Sequence, residues 1–211
     1  MVTKDDVEFL AKKYGISVKE MNRLNKDLWY HGTTKEDAKS ICSMGVICDY
    51  NIGSQLDFGS GFYLTDTQER ASSYIARIPE AISPEEFVER KEWAVIEFAF
   101  NPCEYLLANI DLPIKILNLP KHDEQFAEFV FDNRVKNVFN ENPHNYDIIW
   151  GVMSDSLPIE IVAAYSRGLM SREEAVQKLQ KPNSMKQLYL GTQELCAKLE
   201  VTQINYGKKE E

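Results

Sequence analysis

Tyr63 and Tyr74 stand eleven residues apart in the stretch DFGSGFYLTDTQERASSYI, which runs from Asp57 to Ile75. Gly61-Phe62-Tyr63-Leu64-Thr65 reads as a strand, and Asp66 with Glu69 forms a D-x-x-E start signal that predicts a helix over 67–77. One tyrosine then falls on a strand and the other on the helix that returns after it, so their rings can wall a slot. A flat heteroaromatic ring in such a slot gains about 0.5–1.5 kcal/mol per good aromatic contact beyond area burial, and a cationic ring gains more. Gly59 and Gly61 allow either a close approach of the backbone to something else or a conformation that other residues resist. The plain alternative is packing, since aromatics on a strand and its following helix usually serve as core.

Two further segments add polar groups of the right kind. Tyr30-His31-Gly32-Thr33 places a histidine at a strand end, then a glycine with an accessible backbone, then a hydroxyl. A backbone N–H and C=O side by side match the donor and acceptor of a primary carboxamide. Near the other end, Lys186-Gln187-Leu188-Tyr189-Leu190 sets a glutamine among apolar alternates. The alternatives are a satisfied core histidine and a strand-end glutamine in water.

These residues need a scaffold, and the hydropathy pattern supplies one. Residues 28–31, 61–65, 93–100, 146–152, 186–192 and 199–205 read as strands, with Ile96, Phe98 and Phe100 marking one face of the third. Helices are expected over 4–13 and 17–25, from Thr34 to Gly45, over 67–77, over 123–139 on Phe126, Phe129, Val130 and Val138, and over 158–166 and 171–180, with one more turn after 192. Ser17 with Glu20 and Ser171 with Glu174 have capping-box spacing. Residues 103–122, with Pro113 and Pro120, read as a loop over the acceptor side of the site. Uneven helices between the strands, without a regular βαβ repeat, predict an α+β domain over 27–206. Residues 1–26 form a helical extension, read as a cap rather than a helix-turn-helix because the second helix is not basic. Residues 207–211 read as a frayed tail.

Composition narrows the function classes. A chain of 211 residues can bury a full core. Its formal charge of −9 disfavours nonspecific binding to nucleic acid or an anionic membrane, though not a nucleic acid held in a local pocket. No apolar run approaches a membrane span, and MVTKDDVEFL is no signal peptide, so a cytoplasmic protein is expected. Cys42, Cys48, Cys103 and Cys196 contain no CxxC, and His31, His122 and His144 lack metal-ligand spacing, so reduced, mostly buried thiols and no metal are expected. There is no GxGxxG and no GxxxxGK[ST].

His31-Gly32-Thr33, Phe58-Gly59-Ser60-Gly61-Phe62-Tyr63-Leu64-Thr65-Asp66, the second tyrosine Tyr74 and Gln187 entering a late strand together resemble the ADP-ribosyltransferases of the poly(ADP-ribose) polymerase and diphtheria-toxin type. More closely, they resemble a bacterial branch known only as a domain of unknown function, which pairs Y-H-G-[ST] with F-G-x-G-F-Y-x-T and carries a later D-[IV]-[IV]-x-G, approximated by Asp147 to Gly151. The likeness covers roughly 28–206 and is strong at two motifs. It implies a split mixed β-sheet core with flanking helices, and NAD⁺ as substrate without a metal. His31 would hydrogen-bond a ribose hydroxyl. Gly32 would clamp the nicotinamide carboxamide, with Thr33 or a nearby hydroxyl assisting. Tyr63 and Tyr74 would sandwich the ring, with the glycines letting a strand approach it.

The third residue of that family's signature is usually glutamate, and Gln187 best fits the position here. An amide oxygen accepts a hydrogen bond but takes no proton at neutral pH, so it is no general base. Transfer of a single ADP-ribose is therefore expected rather than chain growth. Glu194, Glu124, Glu128 and Asp155 are rivals for the role. The resemblance further implies a toxin or delivered effector with a macromolecular acceptor, protein favoured over nucleic acid, and a cognate antitoxin or inhibitor as partner. A second reading is a non-catalytic NAD⁺ or ADP-ribose sensor; a gain of activity from glutamate at 187 would separate the two. A third is a structural protein in which both motifs are packing.

Overall fold

The computed structural model describes residues 1–51, 56–83, 86–137, 144–154, 158–181 and 185–209. Helix α1 (Lys4–Tyr14) opens on a complete capping box of Thr3 and Asp6 and stops at Gly15, whose φ of 66° is the left-handed conformation glycine tolerates. Helix α2 (Val18–Leu24) is capped by Ser17, which accepts from the Glu20 N–H. Glu20 does not complete the expected box. Its carboxylate turns inward and accepts from Trp150 Nε1 at 2.7 Å and Lys186 Nζ at 2.5 Å.

Strand β1 (Leu28–Thr33) leads into α3 (Lys35–Met44), capped by Thr34, and then to β2 (Phe62–Leu64) and α4 (Gln68–Arg77). The cap of α4 is Thr67, one residue later than the D-x-x-E signal suggests, because Asp66 pairs with Arg70 instead. A hairpin of β3 (Glu80–Ser83) and β4 (Glu86–Val88) precedes β5 (Glu92–Ala99). The loop expected over 103–122 is instead α5 (Pro102–Ala108) and β6 (Ile116–Leu119). Asn101 caps α5 and Pro102 takes its first turn, a start signal the sequence carried openly. Then come α6 (Glu124–Asn137), β7 (Ile148–Val152), α7 (Pro158–Ser166), α8 (Arg172–Leu179), β8 (Lys186–Leu190), the short α9 (Gln193–Cys196) and β9 (Glu200–Lys208). Val138, at the end of the helix expected over 123–139, lies outside the described residues. The tail expected from 207 begins later: Gly207 pairs with Trp93 and Lys208 with Glu92.

The architecture is α+β. One sheet, in the order β1-β5-β9, is antiparallel throughout; the other, β2-β8-β7-β6, is antiparallel except for the parallel pair β6–β7. Side chains alternate across each strand. Trp29, Ile96, Phe98, Ile148, Trp150, Leu188 and Leu190 thereby face a core shared by both sheets, which α1, α2, α3 and α5 fill. On the far side of the second sheet, Ile149 and Tyr189 pack under α6, α7 and α8. On the far side of the first, Trp93 and Val95 pack under α4. The N-terminal helices are therefore part of the core: Leu10, Met21 and Leu24 are fully buried. Cys48, Cys103 and Cys196 are buried and Cys42 is exposed, all as free thiols. Among the described residues no helix is long and apolar enough to cross a membrane.

Candidate functional site

The two sheets touch through one backbone pair and then part. Tyr30 and Thr65 exchange both hydrogen bonds, N–H to O at 3.0 and 2.9 Å. In an antiparallel ladder, residues alternate between pairs that bond the neighbour and pairs that face the other edge. Tyr30 uses its backbone groups toward Thr65, so its register with Glu97 is a non-bonded pair, and so is that of Gly32 with Val95 two residues on. The N–H and C=O of Gly32 consequently point to the edge that Tyr30 uses, where the sheets have separated.

A cavity of about 220 Å³ opens there, lined among others by His31, Gly32, Tyr63, Tyr74 and Gln187. These residues come from β1, β2, α4 and β8, so the split brings together five of the six positions singled out in the sequence. The sixth, Thr33, does not join them. Its side chain shares the His31 face of β1 two residues further along the strand, where its hydroxyl donates to Asp37 at 3.3 Å and it lines a second cavity of about 190 Å³. A hydroxyl on the first cavity is that of Thr65.

His31 lines both cavities. Its Nδ1 lies 2.8 Å from the Tyr63 carbonyl oxygen, and a carbonyl can only accept, so Nδ1 carries the proton and Nε2 is left as an acceptor. The ring stacks on Phe62 with centroids 4.4 Å apart. Burial holds the imidazole below its ordinary pKa, against opposing pushes from the Tyr63 carbonyl and the Asp37 carboxylate, so it is neutral near pH 7.

Tyr63 is fixed at both ends. Its hydroxyl donates to the Gly59 carbonyl at 2.7 Å and accepts from the Phe58 N–H at 3.0 Å. Burial, with the nearby Tyr189 hydroxyl and the Asp57 charge, pushes that phenol well above its usual range. The glycines around it have separate reasons. Gly59 has φ 81°, while a Cβ on Gly61 would lie 2.2 Å from the Tyr189 ring. They let the loop close on β8 rather than on a ligand. The glycine whose bareness sets a wall of the cavity is Gly32: a Cβ there would lie 2.4 Å from the Ala71 carbonyl oxygen, so only glycine lets β1 lie this close to α4. Tyr74 stands one turn further along α4, 40 % exposed.

Gln187 is buried, and the residue that holds it was not foreseen. Its Nε2 donates to Asp57 Oδ2 at 3.3 Å. Asp57 also receives the Ser154 N–H at 2.9 Å on Oδ2, and Arg134 Nε and a terminal guanidinium nitrogen at 3.0 and 2.6 Å on Oδ1. Both members of this ion pair are buried and both line the cavity. Arg134 left a trace in the sequence: it continues the apolar spacing of Phe126 and Val130 on α6, where a charge needs a buried partner. Asp57 left none. Of the rivals, Glu194 accepts from the Tyr105 hydroxyl and Glu128 pairs with Arg172, both away from the cavity. Glu124 opens α6 and lines neither cavity, and Asp155 lies outside the described residues. The D-I-I-W-G run proves structural: Asp147 accepts from the Lys115 N–H at 2.7 Å, and a Cβ on Gly151 would lie 2.8 Å from the Phe58 ring.

A family model described as "Protein of unknown function (DUF3990)" matches residues 29–201, and the chain belongs to that family. No curated protein matches it.

Proposed function

We propose that this DUF3990 protein is a mono-ADP-ribosyltransferase of the poly(ADP-ribose) polymerase and diphtheria-toxin type, which cleaves the nicotinamide–ribose bond of NAD⁺ and passes ADP-ribose to a macromolecule. The observation that carries the reading is the pair of backbone groups on Gly32, which bond nothing among the described residues and face a cavity lined by Tyr63 and Tyr74. A primary carboxamide offers an oxygen to the N–H and an N–H to the C=O, and its ring lies against Tyr63 and Tyr74. His31 Nε2 accepts from a ribose hydroxyl, and the second cavity beyond His31 takes the far end of the dinucleotide.

The chemistry that follows is electrostatic. The C1′–N bond breaks, nicotinamide leaves neutral with the bonding pair, and positive charge builds on the ribose. The Gln187 amide oxygen stabilises that charge, and the nucleophile of the acceptor then bonds C1′ and gives up its proton to water. No lining carboxylate is free to act as a base: Gln187 cannot take a proton, the one carboxylate among the described lining residues, Asp57, is fully engaged, and His31 Nε2 is taken up by the ribose hydroxyl. Transfer therefore stops at one unit and favours an acceptor already nucleophilic. A toxin or effector role with a cognate inhibitor, and a protein acceptor suited to an acidic surface, belong to the same proposal. The saturation of Asp57 is also what favours the second reading, a sensor that binds NAD⁺ without turning it over.

The test is incubation with labelled NAD⁺ and a cell lysate beside a Tyr74→Ala control. Tyr74 is the better control because Tyr63 also secures a loop. Nicotinamide release with protease-sensitive label, lost in the control, is the expected result. Tight binding of NAD⁺ without release would select the sensor, and no binding would end both readings.

A further inference from the structure

We infer that the buried Asp57–Arg134 pair is a positioning device that fixes Gln187 as an obligate hydrogen-bond acceptor, and that this is why a glutamine, and not a glutamate, works at that position. The activity arm of the test rests on the proposed function; the stability arm does not.

A carboxylate offers about four lone-pair sites, and those of Asp57 meet four donors: two from Arg134, the Ser154 N–H and Gln187 Nε2. Because Asp57 can only accept, the nitrogen of the Gln187 amide must face it. The amide oxygen is then turned from Asp57, on a residue that lines the cavity. The side chain reads a donor on the ligand, such as a ribose hydroxyl, and rejects a ligand that offers only an acceptor there. Arg134 has donors alone and needs Asp57 as its acceptor, so the orientation cannot invert.

Glutamate at 187, the substitution that would separate transferase from sensor, is then expected to lower activity in the transferase. Glutamate has the shape of glutamine, so Gln187→Glu would set a carboxylate oxygen where Nε2 stands, 3.3 Å from Asp57 Oδ2. Two carboxylates that close do not both ionise. The other groups around them are Arg134 on α6, Arg70 and Tyr74 on α4, Tyr63 on β2 and His31 on β1, of which Arg134 is already committed to Asp57 and Arg70 to Asp66. When protonated, the introduced glutamate would mimic the amide, donating its O–H to Asp57 and keeping its carbonyl oxygen as the acceptor. When ionised it would do neither.

The experiment compares the natural protein, Gln187→Glu and Asp57→Asn/Gln187→Glu between pH 5 and pH 8. The raised carboxyl pKa in the folded single variant means its stability holds at acid pH and is lost as pH rises. Its Tm should therefore fall progressively behind that of the natural protein toward pH 8. The double variant, with one carboxylate, should lose that slope even if its Tm is lower throughout. Nicotinamide release by the single variant should be at least about 10-fold down at pH 8 and recover toward pH 5, since one pKa unit is one decade of population. A single variant whose Tm tracks the natural protein at every pH, or that releases nicotinamide as fast at pH 8, overturns the inference. If the double variant does not fold, the Tm slope of the single variant decides alone. If the natural protein neither binds nor cleaves NAD⁺, the proposed function fails while the Tm comparison still judges the positioning pair.

Discussion

Replacing Gly32 with alanine tests how β1 and α4 are held together beside the cavity. The added Cβ would meet the Ala71 carbonyl oxygen at 2.4 Å, the Ala71 carbonyl carbon at 3.1 Å and Ile75 Cγ2 at 3.0 Å. Two of these are helix backbone, which cannot rotate away as a side-chain end can. Reaching an ordinary contact of 3.4 Å requires α4 and β1 to part by about 1 Å. Overpacking of this kind costs about 1–3 kcal/mol. For a chain of this size each kcal/mol lowers Tm by about 2–4 °C, so a drop of about 2–12 °C is expected. Tyr74 rides on α4, so its displacement should weaken the site, and a misplacement of about 1 Å can cost about 100-fold in rate. Calorimetric titration with NAD⁺, nicotinamide release and a thermal melt measure these effects together. Gly15→Ala is the control: it sits at φ 66° with nothing near its Cβ, so it should cost about 1 kcal/mol of strain and leave affinity unchanged. A Gly32→Ala protein with the natural Tm and affinity would refute the claim that a bare Cα lets β1 lie against α4.

Tyr63→Phe keeps the ring but strands the Phe58 N–H and frees the Gly59 carbonyl, so a melt should show a loss of about 1–3 kcal/mol and titration a weaker site. Tyr74→Phe, by contrast, should change neither. Deleting residues 1–26 removes the buried Val7, Leu10, Ile16, Met21 and Leu24, about 8–15 kcal/mol at about 1.5–3 per side chain, as much as a whole domain's stability. The expected outcome is a chain without a cooperative melt, and a folded truncation would refute the core assignment. At Glu20, burial pushes the pKa up, but the hydrogen bonds of Lys186 and Trp150 and the charges of Lys186 and Arg23 outweigh it and hold it low. Its contribution is present above the ordinary carboxyl pKa of about 4.3 and lost as pH falls through the depressed value. Glu20→Gln should lower Tm at pH 7 and flatten the acid limb of a Tm-against-pH curve.

What could be seen in the sequence depended on whether the signal was local. Strand β5 and helices α1, α4 and α8 announce themselves through alternation, apolar spacing and caps, all set by neighbours within a few residues. Tyr63, Tyr74, His31 and Gly32 stood out because together they match the motifs of a known family, although each alone reads as packing. The β3–β4 hairpin hid in a run rich in acidic residues and proline. Strand β6 shows one fully buried residue, and its identity as a strand comes from pairing with β7 far along the chain. Thr33 was assigned to the site by its place in a motif, but it lies beyond His31 along the strand, beside the second cavity. Asp57 was invisible for a similar reason: nothing near it in the chain shows that Arg134, Ser154 and Gln187 converge on it.

Strand β5 lies in the middle of its sheet, with β1 on one flank and β9 on the other. The cavity likewise takes its walls from positions as far apart as Tyr30 and Gln187. During synthesis β1 can pair with β5 early, but the wall that carries Gln187 does not exist until β8 has been made. Such long-range pairing is slow, because each loop must close before its contacts repay the entropy. Until β8 has been made, the growing chain has no formed pocket. Whatever the finished site does, it begins only after β8 has docked, which gives any partner that binds the emerging chain an interval in which to reach it first.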